Sequence, residues 1–410
     1  MLKPRLSVMD GRDPHESGRA STPLELLFDL TFAIAFATAA EQLAELVAKG
    51  HVAAGLMAFT FAMFATCWAW VNFSWFASAY DTDDWAFRLM TMLQMVGVLI
   101  LSLGLPAMFA SFDEGARPDD AIMVAGYVIM RVALVGDWLR AWRQDSQRRR
   151  ACLTYALAIA VVQVGWVGLV VLPVPAAALL PLMGLFILAE MATPWIAESK
   201  DGGTPWHAHH IAERYSLLAI IAMGEGLAGA VAAISAVVGR QGWNTDAVLV
   251  CIAGAGLTFG LWWVYFLIPS GAVLHANRGR AFGWGYGHMA IFAAVAATGA
   301  GFRVTAAYIS GQAAIGPVAT VLSVAIPVAL YVAGIYGLYA WLMRRGDPLH
   351  ISLLAGTAAL LAASVALAAA GVDLAVCLIV LMAAPLVTVF GYELGGRQHA
   401  AEAMARVTAE

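Results

Sequence analysis

The chain has 410 residues, of which 61% are hydrophobic and 12% charged, with a formal net charge of −4 and a mean hydropathy of +0.78. A soluble domain carries about 25% charged residues, so no soluble core can absorb this much apolar sequence, and the chain reads as an integral membrane protein. The lipid bilayer is the partner this composition demands, and no nucleic-acid partner is expected.

Residues 1–22 are polar and hold Lys3, Arg5, Arg12 and Arg19. A basic start followed by a short apolar core is missing, so no cleavable signal peptide is expected and the first apolar segment reads as an uncleaved anchor. Crossing roughly 30 Å of hydrocarbon takes about 20 apolar residues. Twelve such stretches follow: 23–45, 52–79, 86–110, 120–143, 151–172, 175–196, 210–234, 245–268, 281–304, 316–342, 350–371 and 373–393. Only "LPVP" separates the fifth from the sixth, and "GVD" the last two. Barrel-type alternation is lacking and lipid forces the backbone to satisfy itself, so these are helices. The fold class is therefore all-α and polytopic.

Basic residues set the orientation. With the N-terminus in the cytoplasm, cytoplasmic segments hold 18 of the 23 Lys and Arg, including the "RAWRQDSQRRR" stretch, Arg344, Arg345, Arg397 and Arg406. The outer segments hold Lys49, Arg117, Arg240 and Arg303, and Arg131 lies within the fourth span. Both termini are then expected in the cytoplasm. The four cysteines (Cys67, Cys152, Cys251, Cys377) sit singly in apolar segments and read as small buried thiols.

Setting residue n beside n+194 aligns Trp68 with Trp262, Asp81 with His275 and Gln94 with His288, and a shift of 188 sets Glu25 against Glu213. This is the pattern of two parallel six-helix repeats, an arrangement transporters use with sites where repeats meet. The expected organisation is a tail at 1–22, halves at 23–200 and 201–393, and a second tail at 394–410.

A charge at the bilayer centre costs roughly 2.5–3.5 kcal/mol on insertion scales and normally faces the bundle interior. At a rise of about 1.5 Å per residue, Asp29, Gln94, Arg131, Glu190 and His288 fall roughly 9–14 Å from the cytoplasmic end of their spans, and Glu225 roughly 22 Å. Glu25 reads as structural: Thr22, Pro23 and Glu25 have the spacing of a capping box. Asp29 is too deep for that. It is either one arm of a static bridge to Arg131 or a titrating group, and Arg131, always charged, would keep a carboxylate ionised. His288 either hydrogen-bonds a neighbouring helix or carries protons. "HAHHIAER" places His207, His210 and Arg214 at helical spacing near the membrane surface. No cysteine or tight carboxylate set completes a metal site there, so no metal and no cofactor are expected. The aromatic "WAWVNFSWF" reads as packing, and the glycines of "GWGYGH" allow close helix approach. Every lysine lies at or beyond a helix end, which sets a retinal protein aside.

Taken together, "ELLFDLTFAIAF", "HHIAERYSLLAIIAMGEG" and "RAFGWGYGHMAIFAAVAATGAG" resemble the bacterial low temperature requirement protein A (LtrA) family in order and spacing, over about residues 20–390. The family pattern has two aromatics before the Asp of the first motif, where this chain has Leu27 and Phe28. The second motif maps onto His210, Glu213, Arg214 and Glu225, and the third onto His288. The resemblance implies a multi-pass inner-membrane protein tied by name to growth in the cold, and brings no substrate.

The functional expectation is a proton-linked secondary transporter or permeation pathway for a small solute or ion. Asp29, Glu225 and His288 would line it, Arg131 would tune the carboxylates, and Gln94 and Glu190 would share the layer. The alternatives are a membrane-embedded enzyme or lipid-modifying protein working through the His-rich face (His207, His209, His210), and a scaffold or sensor whose bridges are all static. A homo-oligomer is compatible with the sequence.

Overall fold

The computed structural model describes residues 6–268, 270–343 and 348–396, which contain helices and no strands. Arg344, Arg345, Arg397, Arg406 and most of the expected C-terminal tail lie outside the described residues. The helices are α1 (Pro23–Ala48), α2 (Val52–Tyr80), α3 (Trp85–Asp113), α4 (Ala121–Gln144), α5 (Arg149–Val171), α6 (Ala176–Glu198) and α7 (Ala208–Gln241). There follow α8 (Thr245–Phe266), the short α9 (Ser270–Ala276), α10 (Ala281–Ile309), α11 (Pro317–Met343), α12 (Pro348–Ala369) and α13 (Leu374–Gly391). Twelve candidate spans result, in the order expected. At 34 residues, α7 is about 51 Å long, well beyond the reach its apolar stretch required.

Local chemistry fixes the helix starts. Thr22 donates its N–H to Glu25 Oε2 at 2.7 Å, and Glu25 N–H reaches Thr22 Oγ1 at 3.3 Å, closing the capping box that opens α1. Asp84 caps α3 through the N–H groups of Ala86 and Phe87, Asn244 caps α8 and Asp373 caps α13. Between α1 and α2 the chain turns through Gly50 at φ +86°, a conformation that disfavours side chains.

Contacts group the chain into two compact units: residues 1–35 with 65–214, and residues 36–64 with 215–410. In the first unit α3 to α6 pack as successive antiparallel neighbours. There a Cβ on Gly97 would lie 2.6 Å from Met130 Cγ, so α3 and α4 meet nearly backbone to backbone. Trp138 of α4 stacks on Tyr155 of α5 with centroids 4.1 Å apart. Residues 6–22 of this unit, expected as a tail, are held by hydrogen bonds. Ser7 N–H reaches Asp84 at 3.1 Å, Met9 N–H reaches Gln144 at 2.6 Å and Arg12 N–H reaches the Ala79 carbonyl at 3.0 Å.

In the second unit α10, α11, α12, α13 and α8 are linked in sequence by side-by-side packing. Tyr331 of α11 donates to the Leu261 carbonyl of α8 at 2.7 Å, and Ser364 of α12 to the Cys377 carbonyl of α13 at 2.8 Å. All four cysteines are free thiols, and three are buried.

Candidate functional site

Two buried polar clusters occupy the first unit. The shallower one lies at its proximal end, where α1 begins. Glu25 and Asp29, one turn apart on α1, converge on Arg214 in the second turn of α7, and all three are 0% exposed. Arg214 Nε reaches Asp29 Oδ2 at 3.2 Å, Nη2 reaches Asp29 Oδ1 at 2.5 Å and Nη1 reaches Glu25 Oε1 at 2.9 Å. The Trp70 indole N–H donates to Asp29 Oδ1 at 2.6 Å. His210 Nε2 lies 3.2 Å from Glu25 Oε1. Both oxygens of both acids thus have protein partners. This corrects the expected pairing: the arginine that meets Asp29 is Arg214, and Arg131 is engaged elsewhere.

Around this core, Arg19 Nη2 lies 3.8 Å from both Glu25 and Asp81 and donates to the Ala77 carbonyl at 3.2 Å. Burial, reinforced by the nearby Glu25 charge and opposed by Arg19, pushes the Asp81 carboxyl up to about 6. Burial pushes the Arg19 guanidinium down from its usual value, with Glu25 opposing. Asp84 goes the other way. Its burial is outweighed by Arg140 and by the N–H groups of Phe87 and Ser7, which hold the carboxyl at about 2.

The His-rich segment is turned inward. His207 Nδ1 accepts the His210 N–H at 3.2 Å while Nε2 lies 3.0 Å from the Glu16 carbonyl, which places the ring proton on Nε2. Burial lowers the His207 pKa, with the Glu16 carbonyl opposing. His210 is buried and His209 exposed. Among the described residues no group of three His, Cys, Asp or Glu could hold a metal ion. Glu213 is half-buried and accepts the Ser21 N–H at 3.4 Å.

The deeper cluster centres on α4 and α6. Arg131 Nη2 donates to Glu190 Oε2 at 2.9 Å and to the Tyr127 hydroxyl at 2.8 Å. The Trp68 indole N–H donates to the same Glu190 oxygen at 2.8 Å. Trp68 and Trp70, two residues apart on α2, therefore each hold one buried carboxylate, Glu190 and Asp29. The sequence reads that aromatic run as packing, and nothing in a single indole signals its acceptor.

Helix register brings two more polar residues to the level of Arg131. The contact of Gly97 with Gly126 and Met130 sets Gln94 abreast of Arg131 in the antiparallel α3–α4 pair. The Trp138–Tyr155 stack, counted back seven residues on α4 and forward seven on α5, sets Arg131 abreast of Val162 and Gln163. Contact of Gly165 with the Phe186 ring, at 2.5 Å for a Cβ, sets 161–163 abreast of 188–190. Gln94, Arg131, Gln163 and Glu190 thus lie at one level along their helix axes. Arg131, Glu190 and Gln94 are each 2% exposed and Gln163 is 7% exposed. Six of their atoms have no protein partner: Arg131 Nε and Nη1, Gln94 Nε2, both Gln163 amide atoms and Glu190 Oε1. Asp137, missed in the sequence, lies buried on α4 between this layer and the proximal end, with Oδ2 also unpartnered. An acid between Arg131 and Arg140 in the fourth span was the available signal.

In the second unit Glu225 of α7 accepts from Arg303 Nη2 of α10 at 3.2 Å, with Glu225 largely buried and Arg303 more open. Gly299 lets the Glu225 backbone approach α10, since a Cβ there would lie 2.5 Å from the Glu225 carbonyl oxygen. His288 is 3% exposed, anchored through Nδ1 to the Trp284 carbonyl at 2.9 Å. The rings of Trp284, Tyr215, Phe292 and Tyr265 surround it, with centroids 4.2–5.9 Å away.

The model of the bacterial low temperature requirement A protein (LtrA) family matches residues 20–385. The chain belongs to the LtrA family. No curated protein and no solved structure matches it. The match takes in Glu25, Asp29, Arg131, Glu190, Arg214, Glu225 and His288, and begins just after Arg19 at the edge of the proximal cluster.

Proposed function

We propose that this LtrA protein is a proton-linked secondary transporter or permeation pathway for a small solute or ion in the bacterial inner membrane, with both termini cytoplasmic. The lopsided distribution of Lys and Arg supports the orientation. The observation that carries the transport reading is the Gln94–Arg131–Gln163–Glu190 layer. Buried polar groups find protein or water partners, and this layer leaves six atoms without a protein partner on the ion pair itself and on the two amides at its level.

In this reading Glu190 is the group that gains and loses a proton, Arg131 and Trp68 hold its ionised form, and Asp137 is a relay toward the proximal end. Asp29 and Glu25 are the fixed arms of a clamp on Arg214, because every one of their oxygens is already engaged. Glu225 and His288 are candidate protonatable positions within the second unit. Two six-helix repeats, 23–200 and 201–393, form part of the same proposal and rest on the sequence offsets. The burial of His207 and His210 disfavours an enzyme working through that face.

The test is proton and solute flux in proteoliposomes. Glu190→Gln should abolish pH-driven flux while the protein stays monodisperse and melts cooperatively. Wild-type flux from that variant would remove Glu190 and, with it, the proposed path.

A further inference from the structure

We infer that the layer around Arg131 and Glu190 binds a small planar anion, of the short-carboxylate or nitrate type, together with one proton that resides on Glu190. This rests on the transport reading and adds the substrate class and the stoichiometry.

The argument is an inventory of donors and acceptors. The open atoms include Arg131 Nε and Nη1, Gln94 Nε2 and Gln163 Nε2, all donors, against Glu190 Oε1 and Gln163 Oε1 as acceptors. Donors predominate, so the complementary solute is acceptor-rich. Each contributing side chain is more than nine-tenths buried, so the solute is small. A guanidinium fork pairs bidentately with carboxylate oxygens, which short planar monoanions present, and sulfate differs from them by its second negative charge as well as by its shape.

Charge supplies the proton. Arg131 and Glu190 are already a neutral pair at 2.9 Å. Adding an anion alone would leave one uncompensated negative charge in a low-dielectric interior, a penalty of several kcal/mol. A proton from solvent on Glu190 removes it: the carboxylate becomes a carboxylic acid, the anion becomes the counter-ion of Arg131, and the net charge is unchanged. The protonated Oε1 then adds a further donor. The groups facing Glu190 are Arg131 and Tyr127 from α4 and Trp68 from α2. From α5 the level holds the uncharged Gln163, while Tyr155 is engaged by Glu198 at 2.8 Å. Among the described residues the hydrogen bonds and ion pairs of Glu190 involve no second acid.

Titration calorimetry of the purified full chain in detergent tests this, with sodium formate, acetate and nitrate as probes and sulfate as the tetrahedral control. Each run is repeated in two buffers of different ionisation enthalpy to count protons. At least one planar anion should bind with about one proton taken up, and sulfate should not. Glu190→Gln, an uncharged mimic of the protonated acid, should bind the same anion with a proton count near zero. Gln94→Leu and Gln163→Leu should each weaken binding by about tenfold, the worth of roughly one buried hydrogen bond, and keep the proton count. The inference is overturned if folded wild type binds none of the three planar anions, or if Glu190→Gln leaves the proton count at one. If no anion binds while Glu190→Gln still abolishes proton flux, the substrate class is wrong and the transport reading stands.

Discussion

Replacing Arg214 by methionine isolates what the proximal clamp contributes. The guanidinium is 0% exposed and makes three hydrogen bonds, two to Asp29 and one to Glu25. Methionine keeps much of the volume but leaves Asp29 without its counter-charge and Glu25 with only the more distant Arg19, at 3.8 Å. Breaking a buried ion pair from one side costs about 3–5 kcal/mol. At about 2–4 °C per kcal/mol for a large domain, that predicts a melting temperature lowered by about 6–20 °C. Tryptophan-fluorescence melts in detergent, with size-exclusion chromatography as a folding check, give the readout. Arg214→Lys should fall between, because lysine supplies charge without the fork that meets both Asp29 oxygens. The triple variant Glu25→Gln, Asp29→Asn, Arg214→Met should recover most of the loss, since neutralising all arms removes the stranded charges. An Arg214→Met protein melting within about 2 °C of wild type, or a triple variant no better than the single, would refute the clamp.

Three further outcomes follow from the same geometry. Asp81 has a carboxyl raised from 3.8 to about 6, so the folded protein holds a proton there that the unfolded chain releases. Stability from this group therefore falls as pH rises from about 4 to about 6, by about 3 kcal/mol in all, and Asp81→Asn should flatten the melting-temperature profile over that window. Trp70→Phe removes the indole donor at 2.6 Å from Asp29 and should lower stability by about 1–3 kcal/mol, read in the same melt. A Cβ on Gly126 would fall 2.5 Å from the Gly97 carbonyl oxygen, with the Leu101 amide nitrogen closer still. Gly126→Leu must therefore part α3 from α4, and a sharp loss of monodisperse protein is expected where Gly136→Leu, whose nearest neighbour is 4.0 Å away, is tolerated.

What could be read from the sequence depended on whether the cause was local. The twelve spans follow from hydropathy and length, and the start of α1 from the spacing of Thr22, Pro23 and Glu25, whose bonds span three residues. The partner of Asp29 was not legible. Arg214 is 185 positions away, and its place near the start of α7 made it read as a surface charge, while Arg131 looked isolated deep in its span. Depth along a helix says nothing about azimuth, and azimuth decided the pairing. Glu190 and Arg131 were expected at one level and pair there, whereas Gln163, an amide in an apolar span like Gln94, was not picked out. Residues 6–22 read as a tail because much of their anchoring is by backbone groups, which composition cannot reveal.

The two clusters of the first unit differ in where their open atoms lie. In the proximal clamp every oxygen of Glu25 and Asp29 is matched by protein, and the open atoms are at its edge, on Arg19 Nε, Asp81 Oδ2 and His210 Nδ1. In the deeper layer six buried polar atoms on four side chains are open, and at about 1–3 kcal/mol for each unmet group the layer would cost about 4–12 kcal/mol. That is comparable to the stability of a typical domain, about 5–15 kcal/mol. Such a layer persists only if something other than protein satisfies it. Water and a protonated Glu190 with a bound anion both would, and they part company in one quantity: hydration takes up no proton, whereas anion binding takes up about one per site.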